Sequence, residues 1–120
     1  MFVSRRLWLV GIVFITMIAS GCAIQGDTGK AWQMINDGAL LVDVRTADEY
    51  KQGHLDGAKL IPVKEVENRL AEFGEDKSWP IVVYCKKGVR AGRAEEALLK
   101  HGFTNVLNGG GYDELMSSKP

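Results

Sequence analysis

The chain reads as one α/β domain: a parallel sheet of four or five strands with helices on both of its faces. Three observations predict this. Short apolar runs, at 40–44, 59–61, 81–84 and 103–107, alternate with helix-forming sequence. The run Ile81-Val82-Val83-Tyr84 is continuous in β-formers and bounded by Trp79-Pro80 and a glycine-containing loop, the mark of a strand buried on both faces. Finally, 120 residues leave room for one domain, and no internal repeat or low-complexity segment divides them.

Taken in order, Asp27 or Thr28 caps a first helix reaching Asp37, with Trp32 and Ile35 inward and Gly38 as its stop. Residues 40–44 form a buried strand that carries Asp43 near its end. A buried carboxylate persists only when hydrogen-bonded or paired, and Arg45 is the expected partner. Thr46 and Glu49 have the spacing of a capping box and start a short helix. His54 follows Gly53, and nothing in the sequence sets it beside a nucleophile, as a general base requires. Residues 59–61 make a short strand ended by Pro62. Residues 65–73 read as an amphipathic helix with Val66, Leu70 and Phe73 on one face. Glu75 to Ser78 is a solvated loop. A helix at 91–100 stops at Gly102, residues 103–107 form the last strand, and 109–115 are a loop and terminal turn before a frayed tail at 117–120.

The chemistry concentrates at Cys85-Lys86-Lys87-Gly88-Val89-Arg90. Cys85 stands where a strand ends and a helix is about to begin, and ligands of such folds gather at the carboxyl ends of strands. Helix N-termini offer unpaired N–H groups and the positive end of the macrodipole, so a cysteine there is expected to ionise readily and act as a nucleophile. Lys86, Lys87 and Arg90 add positive charge, and Gly88 permits a tight turn with several N–H groups facing inward. The loop is an anion cradle with a nucleophile at its floor.

This loop resembles the active site of the rhodanese (thiosulfate sulfurtransferase) family, which opens with Cys and closes with Arg five positions later around a Gly; Cys85, Gly88 and Arg90 match. Upstream, Leu41-Val42-Asp43-Val44-Arg45, Glu49-Tyr50, Gly53-His54, Gly57-Ala58 and Ile61-Pro62 resemble the family's amino-terminal signature. The glycines at 109–111, ahead of Tyr112 and Leu115, resemble its last turn.

The resemblance implies a rhodanese-like single domain over 29–116 and a two-step transfer. Cys85 takes the sulfane sulfur of thiosulfate or a similar small anionic donor as a persulfide, and a thiol, carrier protein or cyanide then accepts it. Cys85 is the catalytic residue, and 86–90 (Lys86, Lys87, Gly88, Val89, Arg90) bind substrate. Asp43, Arg45, Glu49 and His54 are structural support, His54 by fixing its loop. Arg90 either donates to the anion or ties the loop to neighbouring carboxylates. The four residues between Cys85 and Arg90 are one fewer than in cysteine phosphatases of related architecture, a tighter bowl that fits a single sulfur. A tethered persulfide carrier or sulfur-binding module with little turnover uses the same loop, and a structural lipoprotein with a vestigial loop is the third reading.

Composition narrows the partners. The 15 Lys and Arg balance 15 Asp and Glu without a basic block, which argues against nucleic acid. Two histidines and two separated cysteines give no zinc spacing, so neither metal nor cofactor is expected. At the start, Ser4-Arg5-Arg6 and the apolar run at 7–18 fit a secretory signal. Ser20-Gly21-Cys22 resembles a bacterial lipobox, in which Cys22 becomes the lipidated first residue. That divides the chain into a signal peptide (1–21), a linker (22–28), the domain and the tail. It implies export and a lipid anchor in the cell envelope, with Ala23 pointing to the outer membrane facing the periplasm. An uncleaved anchor, an ordinary signal, or a Cys22–Cys85 disulfide are the other readings of these residues. Removing 1–21 takes Arg5 and Arg6 and no acid, so the net charge becomes −2 (13 − 15) and the tether is lipid alone.

Overall fold

The computed structural model describes residues 26–120. The basic leader, the apolar run, Cys22 and most of the expected linker lie outside the described residues. Four parallel strands, β1 (Leu40–Asp43), β2 (Lys59–Leu60), β3 (Ile81–Cys85) and β4 (Val106–Gly111), form one sheet in the order β2-β1-β3-β4. Helices α1 (Thr28–Asn36), α2 (Ala47–Gln52), α3 (Val89–Lys100) and α4 (Tyr112–Ser117) complete the fold with two 3₁₀ helices, Val63–Asn68 and Leu70–Phe73.

Alternation along the strands divides the core into two layers. Val42, Ile81, Val83 and Cys85 pack with Val66, Phe73, Ala94, Leu98 and Phe103 on the α3 side. Leu41, Val82 and Tyr84 pack with Ala31, Trp32, Leu55 and Leu115 on the other. Both layers are apolar, which is why β3 is buried along its whole length.

Local rules account for the element ends. Asp27 accepts the Lys30 N–H at 3.0 Å and caps α1. At the end of α3, the Phe103 and Gly102 amides donate back to Leu98 and Leu99 at 3.1 Å, a Schellman closure that needs the left-handed Gly102 (φ 93°). The first two strands each end one residue earlier than the sequence predicts.

Three expectations are corrected. Residues 65–73 are not one amphipathic helix but the two 3₁₀ helices, broken at Arg69 (φ −126°, ψ 30°). Their apolar residues fall in pairs three apart, Val63/Val66 and Leu70/Phe73, which align in a 3₁₀ helix, and the break turns both pairs onto the same core. The glycines at 109–111 are the end of β4 rather than a loop; a bulge shifts the register so that Val83 faces Asn108 but Cys85 faces Gly111. The domain also extends past 29–116. Thr28 opens α1, Ser117 closes α4, and the Trp32 indole N–H donates to Leu115 O (3.0 Å) and Ser118 Oγ (3.3 Å), which ties down the start of the tail.

Phe73 is buried and meets the Phe103 ring edge-on, centroids 6.1 Å apart. Phe73→Ala is expected to cost about 3–5 kcal/mol in urea unfolding, although it lies in a single 3₁₀ turn. Leu99→Ala, on the exposed side of α3, should stay within about 0.5 kcal/mol.

Candidate active site

Strand alternation sends the Cys85 side chain to the α3 side of the sheet, at the carboxyl end of β3 and directly under the start of α3. There Sγ accepts the Gly88 N–H at 3.0 Å and the Ala91 N–H at 3.4 Å. Gly88 is the N-cap of α3, in left-handed conformation (φ 95°, ψ −13°), and has no side chain to cap the helix. The sulfur takes that role, since Ala91 is the third helical residue and its N–H is the one an N-cap side chain normally receives. Cys85 is only 1% exposed, so the thiol at the floor of the cradle is enclosed by its own loop.

The other loop groups are placed as follows. Of the amides expected to face the sulfur from 86–90, only that of Gly88 bonds it. Among the described residues the amides of Lys86, Lys87, Val89 and Arg90 donate to no protein acceptor. Val89 and Arg90 belong to the first turn of α3, not to the loop, and such first-turn amides have no partner within a helix. Lys86 and Lys87 are exposed and make no ion pair among the described residues. The Val89 side chain is also exposed, at the rim.

Arg90 does not reach for the anion. Its two terminal nitrogens donate to Glu49 Oε1 (2.6 Å) and Oε2 (3.0 Å), a bidentate bridge from α3 to α2. Glu49 also completes the capping box with Thr46, so it holds two jobs where sequence reasoning saw one. The Arg90 hydrogen bonds, more than those from Thr46, hold its carboxyl at about 2, below the ordinary 4.5.

Asp43 and Arg45 form a buried pair at the end of β1. Arg45 Nη2 donates to Asp43 Oδ2 (2.7 Å) and Gly53 O (2.7 Å), its Nε to both carboxylate oxygens (3.0 Å), and its backbone N–H to Oδ1 (2.9 Å). Its guanidinium lies 4.5 Å from the Tyr112 ring centroid. Burial opposes the Arg45 charge, but the Asp43 bonds and charge outweigh it and raise the pKa. Burial likewise lifts the Tyr84 hydroxyl well above its usual range; that hydroxyl accepts the Leu55 N–H at 3.1 Å. His54 stacks on Tyr50, with ring centroids 3.6 Å apart, and its Nδ1 lies 2.8 Å from Tyr50 O. It therefore bonds to the carboxyl end of α2 and not to the sulfur.

Openings flank the loop among the described residues. A cleft of about 250 Å³ is lined by Arg45, Glu49, Gly53, Lys86 and Tyr112, and a groove of about 750 Å³ by Val63, Lys64, Arg90 and Arg93. Two contributors escaped sequence reasoning. Ala91 supplies an amide because α3 begins two residues before the predicted 91, and an alanine gives no signal of that. Gly111 lets β4 touch the loop: a Cβ there would sit 2.5 Å from Lys86 O. Its signal was the glycine run, read as a loop and last turn instead of a close approach.

A cysteine under a helix N-terminus, at the end of a central parallel strand and with backbone amides turned onto its sulfur, defines the class: an α/β domain with an amide-lined loop around one thiol. Comparison with known proteins gives that class its family: residues 27–117 match the rhodanese-like domain, and the chain belongs to it. It is 41% identical over 78 residues to the thiosulfate sulfurtransferase PspE of Escherichia coli K12, covering 65% of this chain and 75% of PspE. A solved Escherichia coli rhodanese with anions superposes with a TM-score of 0.63 at 38% identity, covering 69% of this chain and 95% of that one. The human single-domain sulfurtransferase TSTD1 gives 0.66 at 26% identity, covering 77% and 94%.

The Glu49–Arg90 bridge carries a pH signature. A carboxylate whose folded pKa is depressed contributes stability above its unfolded value and loses it as pH falls through the folded one. The coupling between Glu49→Gln and Arg90→Gln in a double-mutant unfolding cycle is expected at about 1 kcal/mol near neutral pH. It should hold down to the ordinary 4.5 and vanish as pH falls to about 2.

Proposed function

We propose that the protein is a sulfurtransferase of the thiosulfate type working through a persulfide on Cys85. The observation that carries this reading is the pair of backbone N–H groups on Sγ beside four further amides, of Lys86 and Lys87 in the loop and of Val89 and Arg90 in the first turn of α3, that have no protein acceptor among the described residues. In the first step the Cys85 thiolate bonds the outer sulfur of thiosulfate, the donor's S–S bond breaks, and sulfite leaves with its electron pair. The new terminal sulfur carries the negative charge, and the unpaired amides of Lys86, Lys87, Val89 and Arg90 are the groups around it that would hold it. In the second step a nucleophile attacks that terminal sulfur and Cys85 leaves as the thiolate. Cyanide would give thiocyanate, and a thiol would give a new persulfide. Among the described residues no side-chain base touches Sγ, and the thiolate has two backbone amides on it with the Arg90 charge nearby.

Lys86 and Lys87 draw in the dianionic donor as unpaired exposed charges. Arg90 contributes chiefly by fixing the loop, because Glu49 occupies its terminal nitrogens. Support for thiosulfate as donor comes from the relatives' names together with this anion-binding loop. The exported, lipid-anchored form, with Cys22 acylated and the domain on the periplasmic side of the envelope, rests on the sequence 4–22 alone.

Steady-state assay with thiosulfate and cyanide tests the reading. Turnover is expected in the wild type, falling by about a thousandfold or more in Cys85→Ser. Uptake of one sulfur without turnover would instead mark a carrier, and no uptake at all would sink the sulfur-transfer reading. Lys86→Met and Lys87→Met should each raise the thiosulfate KM roughly 3- to 10-fold with kcat little changed, an effect that shrinks with added salt.

A further inference from the structure

We propose that Asn108, on β4 and remote in sequence from the loop, is a positioning residue for sulfur uptake by Cys85; this rests on the sulfur-transfer reading above. Its side chain is fixed from both ends. Nδ2 donates to Gly88 O at 2.9 Å, and Oδ1 accepts the Gly110 N–H at 2.9 Å. Its backbone N–H donates to Glu95 Oε2, also at 2.9 Å, so α3 grips the same residue from the side. The amide orientation follows from these partners, because Gly88 O can only accept and the Gly110 N–H can only donate.

Gly88 is the residue whose placement matters most. Its N–H is the shorter of the two bonds to Sγ, its carbonyl accepts the first helical bond of α3 from Gly92 (2.9 Å), and its backbone is left-handed, a region where glycine has no Cβ to restrict it. A glycine free to rotate would let that amide swing off the sulfur. The Asn108 amide, anchored in the sheet, removes this freedom by holding the carbonyl of the same residue. The bulge in β4 makes it possible. Asn108 faces Val83 and so points to the α3 side, while the shift over Gly109 and Gly110 brings Gly111 opposite Cys85 and against Lys86 O. β4 thus braces the loop at two points, by contact at Lys86 and by hydrogen bond at Gly88. Asn108 touches neither sulfur nor donor and acts through Gly88.

The test uses the full chain with Asn108→Leu, which removes both side-chain bonds, and Asn108→Asp, which keeps the shape and the bond from Gly110 but sets a carboxylate oxygen against Gly88 O. Single-turnover uptake of sulfur from thiosulfate should fall by about ten- to a hundredfold in both, with the thiosulfate KM within about twofold because Lys86 and Lys87 are untouched. In ¹⁵N-labelled protein the Gly88 amide resonance should move toward its position in Cys85→Ala, while the amides of β1 and β3 stay in place. A residue that merely supports the fold would lower the melting temperature without that selective shift. Asn108→Asp that folds yet keeps the wild-type Gly88 resonance and an uptake rate within about twofold would overturn the proposal. So would a rate loss accompanied by general broadening and no displacement of Gly88. If the wild type takes up no sulfur, the sulfur-transfer reading fails, and the Gly88 resonance still decides whether Asn108 holds the loop.

Discussion

Two backbone amides converge on one sulfur, and most of the described structure can be traced to keeping them there. Gly88 and Ala91 reach Cys85 Sγ only because β3 ends and α3 begins within four residues, with a left-handed glycine at the join. Backbone donors serve better than a side chain here. They do not titrate, cost little reorganisation, and bring the dipole of a twelve-residue helix with them. The drawback is that a loop of small and flexible residues has little to hold its own shape.

The surrounding fold supplies that hold from several sides. The strand order places β1 beside β3 at the point where the sheet's winding reverses, so the Asp43–Arg45 pair stands next to the loop. That pair is expensive to bury, and breaking it from one side would leave an uncompensated charge worth about 3–5 kcal/mol, which makes it a rigid wall. Arg45 passes the constraint on to Gly53 O and Tyr112. From α2, Glu49 takes the Arg90 guanidinium and fixes the first turn of α3. From β4, Gly111 and Asn108 close the remaining side. Lys86 and Lys87, exposed at the mouth, make no ion pair among the described residues. Arg90, which looks equally suited to binding an anion, has been given to the scaffold.

Much of this was legible in the sequence because it rests on local rules. The apolar run at 81–84 could hardly be anything but a central strand, and Thr46 with Glu49 announced a capping box that the structure contains. The cysteine's place at a strand-to-helix junction followed from the order of two unmistakable elements. What was not legible depends on approach between distant segments. The 3₁₀ pairs at 63–73 share their apolar residues with an α-helical pattern, and only the turn at Arg69 separates the two. The burial of Cys85, the Ala91 amide and the Glu49–Arg90 bridge come from tertiary placement that no spacing encodes. The glycines at 109–111 were visible, but their meaning, a strand pressed against the loop, needs Lys86 beside them to be understood.

The central claim is that this loop of amides exists to carry an anionic sulfur on Cys85. A crystal structure of the protein after brief treatment with thiosulfate tests it most directly. The account predicts one additional sulfur bonded to Sγ, lying within hydrogen-bond reach of the loop amides that are unpaired in the free protein. An unmodified Sγ in crystals whose protein has consumed the donor, or an added sulfur turned away from those amides, would contradict it.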